Sequence, residues 1–143
     1  MVDLLNPDQQ RSVTIVLRMF EENLRQADSI LKEAETTGIL YHRKLEQDPL
    51  KRQAAQILID TAYKEIGKLA NELGLNTELD NPAGLISGQM SESWVNIMDS
   101  HSKKLKRFGN VDPRLEYVYD PPINHLAQLA LALASIFNVA FEE

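Results

Sequence analysis

Residues Leu126 to Phe141 read LAQLALALASIFNVAF, and the fold turns on how that stretch is assigned. Leucine and alanine alternate through its middle with a period of two, the rhythm of a half-buried strand. Neither residue type is β-branched, and both are strong helix formers, so composition overrides rhythm. Wound as a helix from Pro121, the segment gathers Asn124, Gln128, Ser135, Asn138 and Glu142 into one narrow polar stripe. Apart from His125 in the first turn, the remaining surface is apolar. A helix with so little polar surface must be covered on most sides. The stretch is therefore expected to form the central helix, 121–141, of an all-α protein. Its 16 residues, interrupted by Gln128, Ser135 and Asn138, fall short of the roughly 20 apolar residues of a membrane span, so no membrane partner is expected. Phe141-Glu142-Glu143 places negative charge at the helix C-terminus, where it opposes the macrodipole and favours fraying.

Working outward, a short polar residue followed by proline recurs at Asn6-Pro7, Asp48-Pro49, Asn81-Pro82, Asp112-Pro113 and Asp120-Pro121. Asn or Asp accepts from the free N–H groups of a first helical turn, and proline at the next position has no N–H to leave unpaired. Gly38, Gly74 and Gly109 mark the matching stops. These signals predict four principal helices, about 7–37, 49–73, 90–108 and 121–141. The connections between them are long for a bundle, and short accessory helices are expected around Arg43–Gln47 and Pro82–Ile86.

The first helix carries Val13, Leu17, Phe20, Leu24, Ala27, Leu31 and Ala34 on one face. Arg18–Glu22, Glu21–Arg25 and Asp28–Lys32 form i,i+4 pairs on its other side, each adding a few tenths of a kcal/mol. The second helix repeats the pattern with Ala55, Leu58, Ala62, Ile66, Leu69 and Leu73. Ile15, Met19 and Ile30 flank the main stripe of the first helix, and Ile57 lies away from the stripe of the second. This leftover apolar surface points to an interface, with a second copy of the chain as the expected partner. The architecture expected is one domain, 1–143: a mainly antiparallel four-helix bundle with accessory helices.

The composition narrows the functional class. With 43% hydrophobic and 25% charged residues, the 143-residue chain is globular, and its net charge of −6 and pI near 5.1 give no general attraction to nucleic acid or anionic membrane. The lack of cysteine excludes disulfides and thiolate chemistry and fits a cytoplasmic location. The start, MVDLLNPDQQ, lacks the basic and apolar regions of a signal peptide. No paired-histidine metal motif, glycine-rich phosphate loop or nucleophile elbow is present, so neither a cofactor nor a metal is expected.

Two features remain as candidate sites. In MDSHSKKLKRF, Met98 to Phe108, a helical wheel centres His101 on the apolar face of Met90, Trp94, Ile97, Met98, Leu105 and Phe108. Lys103, Lys106 and Arg107 project away, where they complement the macrodipole, and Asp99–Lys103 forms a local pair. In up-down connectivity, Tyr41, His42, Tyr117, Tyr119 and His125 would gather at one bundle end, with Tyr117 and Tyr119 on one side of an extended stretch and His101 about two turns down. The preferred reading is a non-enzymatic binding, adaptor or assembly module, a homodimer without nucleic-acid partners. The alternatives are a small enzyme or ligand binder at the His/Tyr end, and a nucleic-acid regulator using the basic run.

Overall fold

The structure, a computed structural model, describes residues 4–138, which fall into two compact units, Met1–Glu78 and Leu79–Glu143. The protein is all-α in class, with one small hairpin. The first unit contains α1 (Pro7–Lys32), β1 (Glu35–Thr37), β2 (His42–Lys44) and α2 (Pro49–Leu73). The second contains α3 (Ala83–Met98), a 3-10 segment (Ser102–Phe108) and α4 (Leu115–Ile136).

In the first unit the polar-proline device works as its chemistry dictates. Asn6 accepts the Gln9 N–H at 2.8 Å while the Gln9 side chain accepts the Asn6 N–H at 2.9 Å, a reciprocal capping box that starts α1. Asp48 accepts the Leu50 N–H at 2.8 Å and starts α2. Gly74, at φ 66°, closes α2 in the left-handed conformation. Residues Leu17 and Phe20 of α1 border Ala62 to Leu69 of α2, and Ala27 to Leu31 border Arg52 to Ile59, so the helices run antiparallel. Leu24 and Ile59 are the buried apolar side chains of this pair. Ile59 takes the inward place expected of Leu58, which is exposed. Asp28 links the helices, accepting from Lys32 on its own helix and from Gln56 across at 2.9 Å each.

The first helix stops at Lys32 rather than 37, because the chain turns into an antiparallel hairpin with Glu35 opposite Lys44, Thr36 opposite Arg43 and Thr37 opposite His42. Threonines and opposite-sign pairs favour that pairing. The Leu45 N–H donates to the Ala34 carbonyl at 2.7 Å and extends it. The hairpin replaces the accessory helix expected around Arg43–Gln47, and it leaves Ile39 and Leu40 at its tip fully exposed.

The second unit is built on a closer helix pair. Ala127, Ala130 and Ala134 of α4 are buried against α3, whose half-buried face is Ala83, Ile86, Ser87, Met90, Ser93, Trp94 and Ile97. Small side chains let the two backbones approach, and the Ser87 hydroxyl donates to the Ala134 carbonyl at 2.8 Å. Two expected boundaries change here. The accessory helix expected at Pro82–Ile86 is the first turn of α3, and α3 ends at Met98 rather than 108. His101 is extended, and the basic run winds as a 3-10 segment. That break moves Phe108 out of the expected apolar face and leaves it exposed.

The fourth helix starts at Leu115 instead of 121, with the Asp112 carboxylate accepting the Arg114 N–H at 2.9 Å. Pro121 and Pro122 therefore lie inside it, which removes the hydrogen bonds to the Tyr117 and Val118 carbonyls. Both of those residues are mostly exposed, so water can serve the freed carbonyls. Tyr117 and Tyr119 are helical, not extended, and two residues apart on a helix they diverge. The final stretch, 139–143, with its expected fraying, lies outside the described residues. No described helix is long and apolar enough to cross a membrane.

Candidate protein interface

On α4 each buried alanine is preceded by a leucine. Leu126, Leu129 and Leu133, continued by Ile136, therefore form a second row, turned from the alanine row by roughly 100° at 3.6 residues per turn. Their spacing of three, four and three is that of a coiled-coil seam, in which each side chain inserts between four side chains of a neighbouring helix. Much of this row is uncovered: Leu126 is 50% exposed, Leu129 48%, Leu133 41% and Ile136 73%. From Pro121 to Ile136 the helix carries no Asp, Glu, Lys or Arg. Scattered exposed leucines are ordinary on a protein surface, but a contiguous uncharged row marks an interaction face. The sequence suggested that most of α4 is covered. In its unit only the alanine side is, so the helix is not a central member there.

A polar network fixes the other end of the α3–α4 pair. Asp120 accepts both the Ser102 N–H at 3.0 Å and the Ser102 hydroxyl at 2.8 Å, and Ser102 is the buried polar residue among those described. These two bonds, the backbone one first, hold the Asp120 carboxyl below its ordinary range, helped by the charge of His101. The Tyr119 hydroxyl donates to the Ser100 hydroxyl oxygen at 3.2 Å. The His101 ring places Nδ1 at 2.7 Å from the Met98 carbonyl and Nε2 against the Asn124 side-chain oxygen. Two oxygen acceptors, one at each ring nitrogen, suit an imidazolium. The Met98 carbonyl first, then Asn124, raise the His101 pKa, against the opposing effect of burial. Asp99 does not pair with Lys103 as expected. With the helix broken, Arg107 reaches it at 3.0 Å and Lys104 lies at 3.9 Å.

The six residues considered as a His/Tyr site divide between the two units. In the first unit, Tyr41 lies in the hairpin turn with the Arg43 guanidinium 5.7 Å from its ring centre, and His42 Nε2 pairs with Glu35 at 2.7 Å across the strands. In the second unit, both His101 ring nitrogens are engaged, Tyr119 is half-buried beside Ser100, and Tyr117 and His125 are exposed. Among the described residues, no group of three or more His, Asp or Glu is placed to hold a metal ion. Of the expected interface residues, Ile15, Met19 and Ile57 are exposed, whereas Ile30 is half-buried along the α1–α2 seam. From the sequence alone the leucines of this row read as core side chains. Their three-four spacing was the signal that could have separated them from the alanine row.

No protein-family model, curated protein or solved structure matches this chain.

Proposed function

We propose that the protein is a non-enzymatic helical binding and assembly module that acts as a homodimer through α4. One observation carries the reading: the uncharged Leu126, Leu129, Leu133 and Ile136 row, 41–73% exposed and spaced to mesh with another helix. A second copy is a fitting partner because a two-fold interface brings the same patch to itself, and a patch without charges meets no like-charge repulsion when it does. Two α3–α4 pairs joined in this way give four helices, so a mainly antiparallel four-helix bundle is our proposal for the assembled form. A single domain over 1–143 and a cytoplasmic location belong to the same proposal, as does the absence of a nucleic-acid partner.

Light scattering behind a sizing column at micromolar concentration tests it. The expected mass is about twice the chain's 16.2 kDa. Leu129→Glu with Leu133→Glu should give a helical monomer. A wild-type chain that stays monomeric at every soluble concentration would sink the proposal.

A further inference from the structure

In the first unit, α1, the segment entering α2 and α2 itself line an open groove of about 330 Å³. That volume is at the small end of ligand pockets, which run from about 300 to 1,000 Å³. Its walls are aliphatic: Ile30 and Leu31 from α1, Leu45 from the connection, Ala55 and Ile59 from α2. Two cations, Lys51 and Arg52, also line it, and no Asp or Glu does.

Acidic residues outnumber basic ones by 21 to 15, and some of the basic side chains are engaged by carboxylates, as Arg18, Arg25, Lys32, Arg107 and Arg114 are. Neither Lys51 nor Arg52 has a carboxylate within ion-pair distance among the described residues. Asp48, the nearest acidic residue in sequence, has its carboxylate on the Leu50 N–H. Arg52 Nη2 donates to the Leu45 carbonyl at 2.6 Å, which anchors the guanidinium in the wall. Its Nε is buried without an acceptor and closed to a ligand in the groove, so an anion there would meet the terminal N–H groups of the guanidinium. Guanidinium N–H pairs match a carboxylate with two parallel hydrogen bonds, and a neighbouring ammonium adds charge. A bare inorganic anion would use the cations and leave the aliphatic walls idle. A neutral apolar molecule would do the reverse.

We infer that this groove binds a small amphiphilic carboxylate, its acid group on Arg52 and Lys51 and its apolar tail along Ile30, Leu31, Ala55 and Ile59. The site is on the first unit and does not depend on the α4 interface.

Titration of the full chain with octanoate, followed by calorimetry and by backbone amide NMR shifts, tests the inference. Octanol supplies the tail without the charge, and acetate the charge without the tail. Octanoate should bind with shifts centred on the groove, and both octanol and acetate should bind at least about tenfold more weakly. Lys51→Met and Arg52→Met should each weaken octanoate while leaving octanol unchanged. Arg52 also holds the Leu45 carbonyl, so Lys51→Met and the groove-filling Ala55→Phe serve as variants that leave this bond in place. Equal binding of octanol and octanoate would overturn the inference. So would octanoate binding that survives both Lys51→Met and Ala55→Phe, shifts centred on the α4 row, or no binding at millimolar octanoate.

Discussion

Asp120 holds Ser102 with two hydrogen bonds, to its N–H and to its hydroxyl, across eighteen residues of sequence. The carboxylate thus does for the 3-10 segment what a local capping residue does for a helix, but from inside α4. Ser102→Ala removes one bond and leaves a partly buried carboxylate oxygen short of a donor. It should lower the melting temperature by several degrees. Asp120→Ala, which loses both bonds, should lower it further, and Asp120→Asn should fall between the wild type and Asp120→Ala. Thermal unfolding of the three variants checks the order. Equal melting temperatures would mean that the segment is held without Asp120.

The same network sets a pH profile. Asp120 has its pKa lowered by folding, so its contribution is present above the ordinary value of 3.8 and is lost as pH falls through the lowered one. Asp28, lowered chiefly by its hydrogen bond to Lys32, acts in the same direction. His101 has its pKa raised, so its contribution is complete below the ordinary 6.5 and is lost as pH rises through the raised value. Stability should therefore peak between 3.8 and 6.5 and decline toward pH 8. His101→Gln should flatten the upper limb and leave the acid limb in place. A wild type that melts alike at pH 6 and pH 8 would count against the protonated ring.

Local signals were legible in the sequence, and distant ones were not. The boundaries of α2 and the start of α1 follow from Asp48-Pro49, Gly74 and Asn6-Pro7, all of which act within a few residues. The three expected i,i+4 pairs of α1 also form. The break after Met98 was not visible, because nothing between Asp99 and Ser102 forbids a helix and the competing partners, Asp120 and Asn124, lie on α4. Two adjacent prolines at 121 and 122 concealed the true start of α4 at Leu115. The unpaired Nε of Arg52 could not be read at all, since it depends on where the Leu45 carbonyl falls.

Two glycines separate backbone strain from packing. A Cβ added at Gly74 or Gly109 meets nothing within 4 Å, so substitution there probes conformation alone. Gly74→Ala places alanine in the left-handed region and should cost about 1–2 kcal/mol. Gly109, at φ 142° and ψ 178°, lies where essentially only glycine goes, and Gly109→Ala should cost about 1–3 kcal/mol. Urea unfolding measures both. A stabilised Gly109→Ala variant would contradict the conformation assigned to that turn.

The two rows of α4 should respond oppositely to changes in size. Ala130 is 6% exposed and pressed against α3, so Ala130→Leu adds atoms where two backbones already meet closely. It should destabilise by about 1–3 kcal/mol and separate the α3–α4 pair. Leu133 is 41% exposed, so only part of its apolar surface is covered within the chain. Leu133→Ala should cost the isolated chain roughly 1 kcal/mol, about half the value of burying a leucine side chain. The same change takes a knob from each side of the proposed two-fold seam. Its larger effect should therefore appear in the dissociation constant of the dimer, and it should grow as protein concentration approaches that constant. Unfolding at several concentrations distinguishes the two contributions. If Leu133→Ala cost about 2–5 kcal/mol at concentrations where the chain is monomeric, Leu133 would be a core side chain and not an interface one.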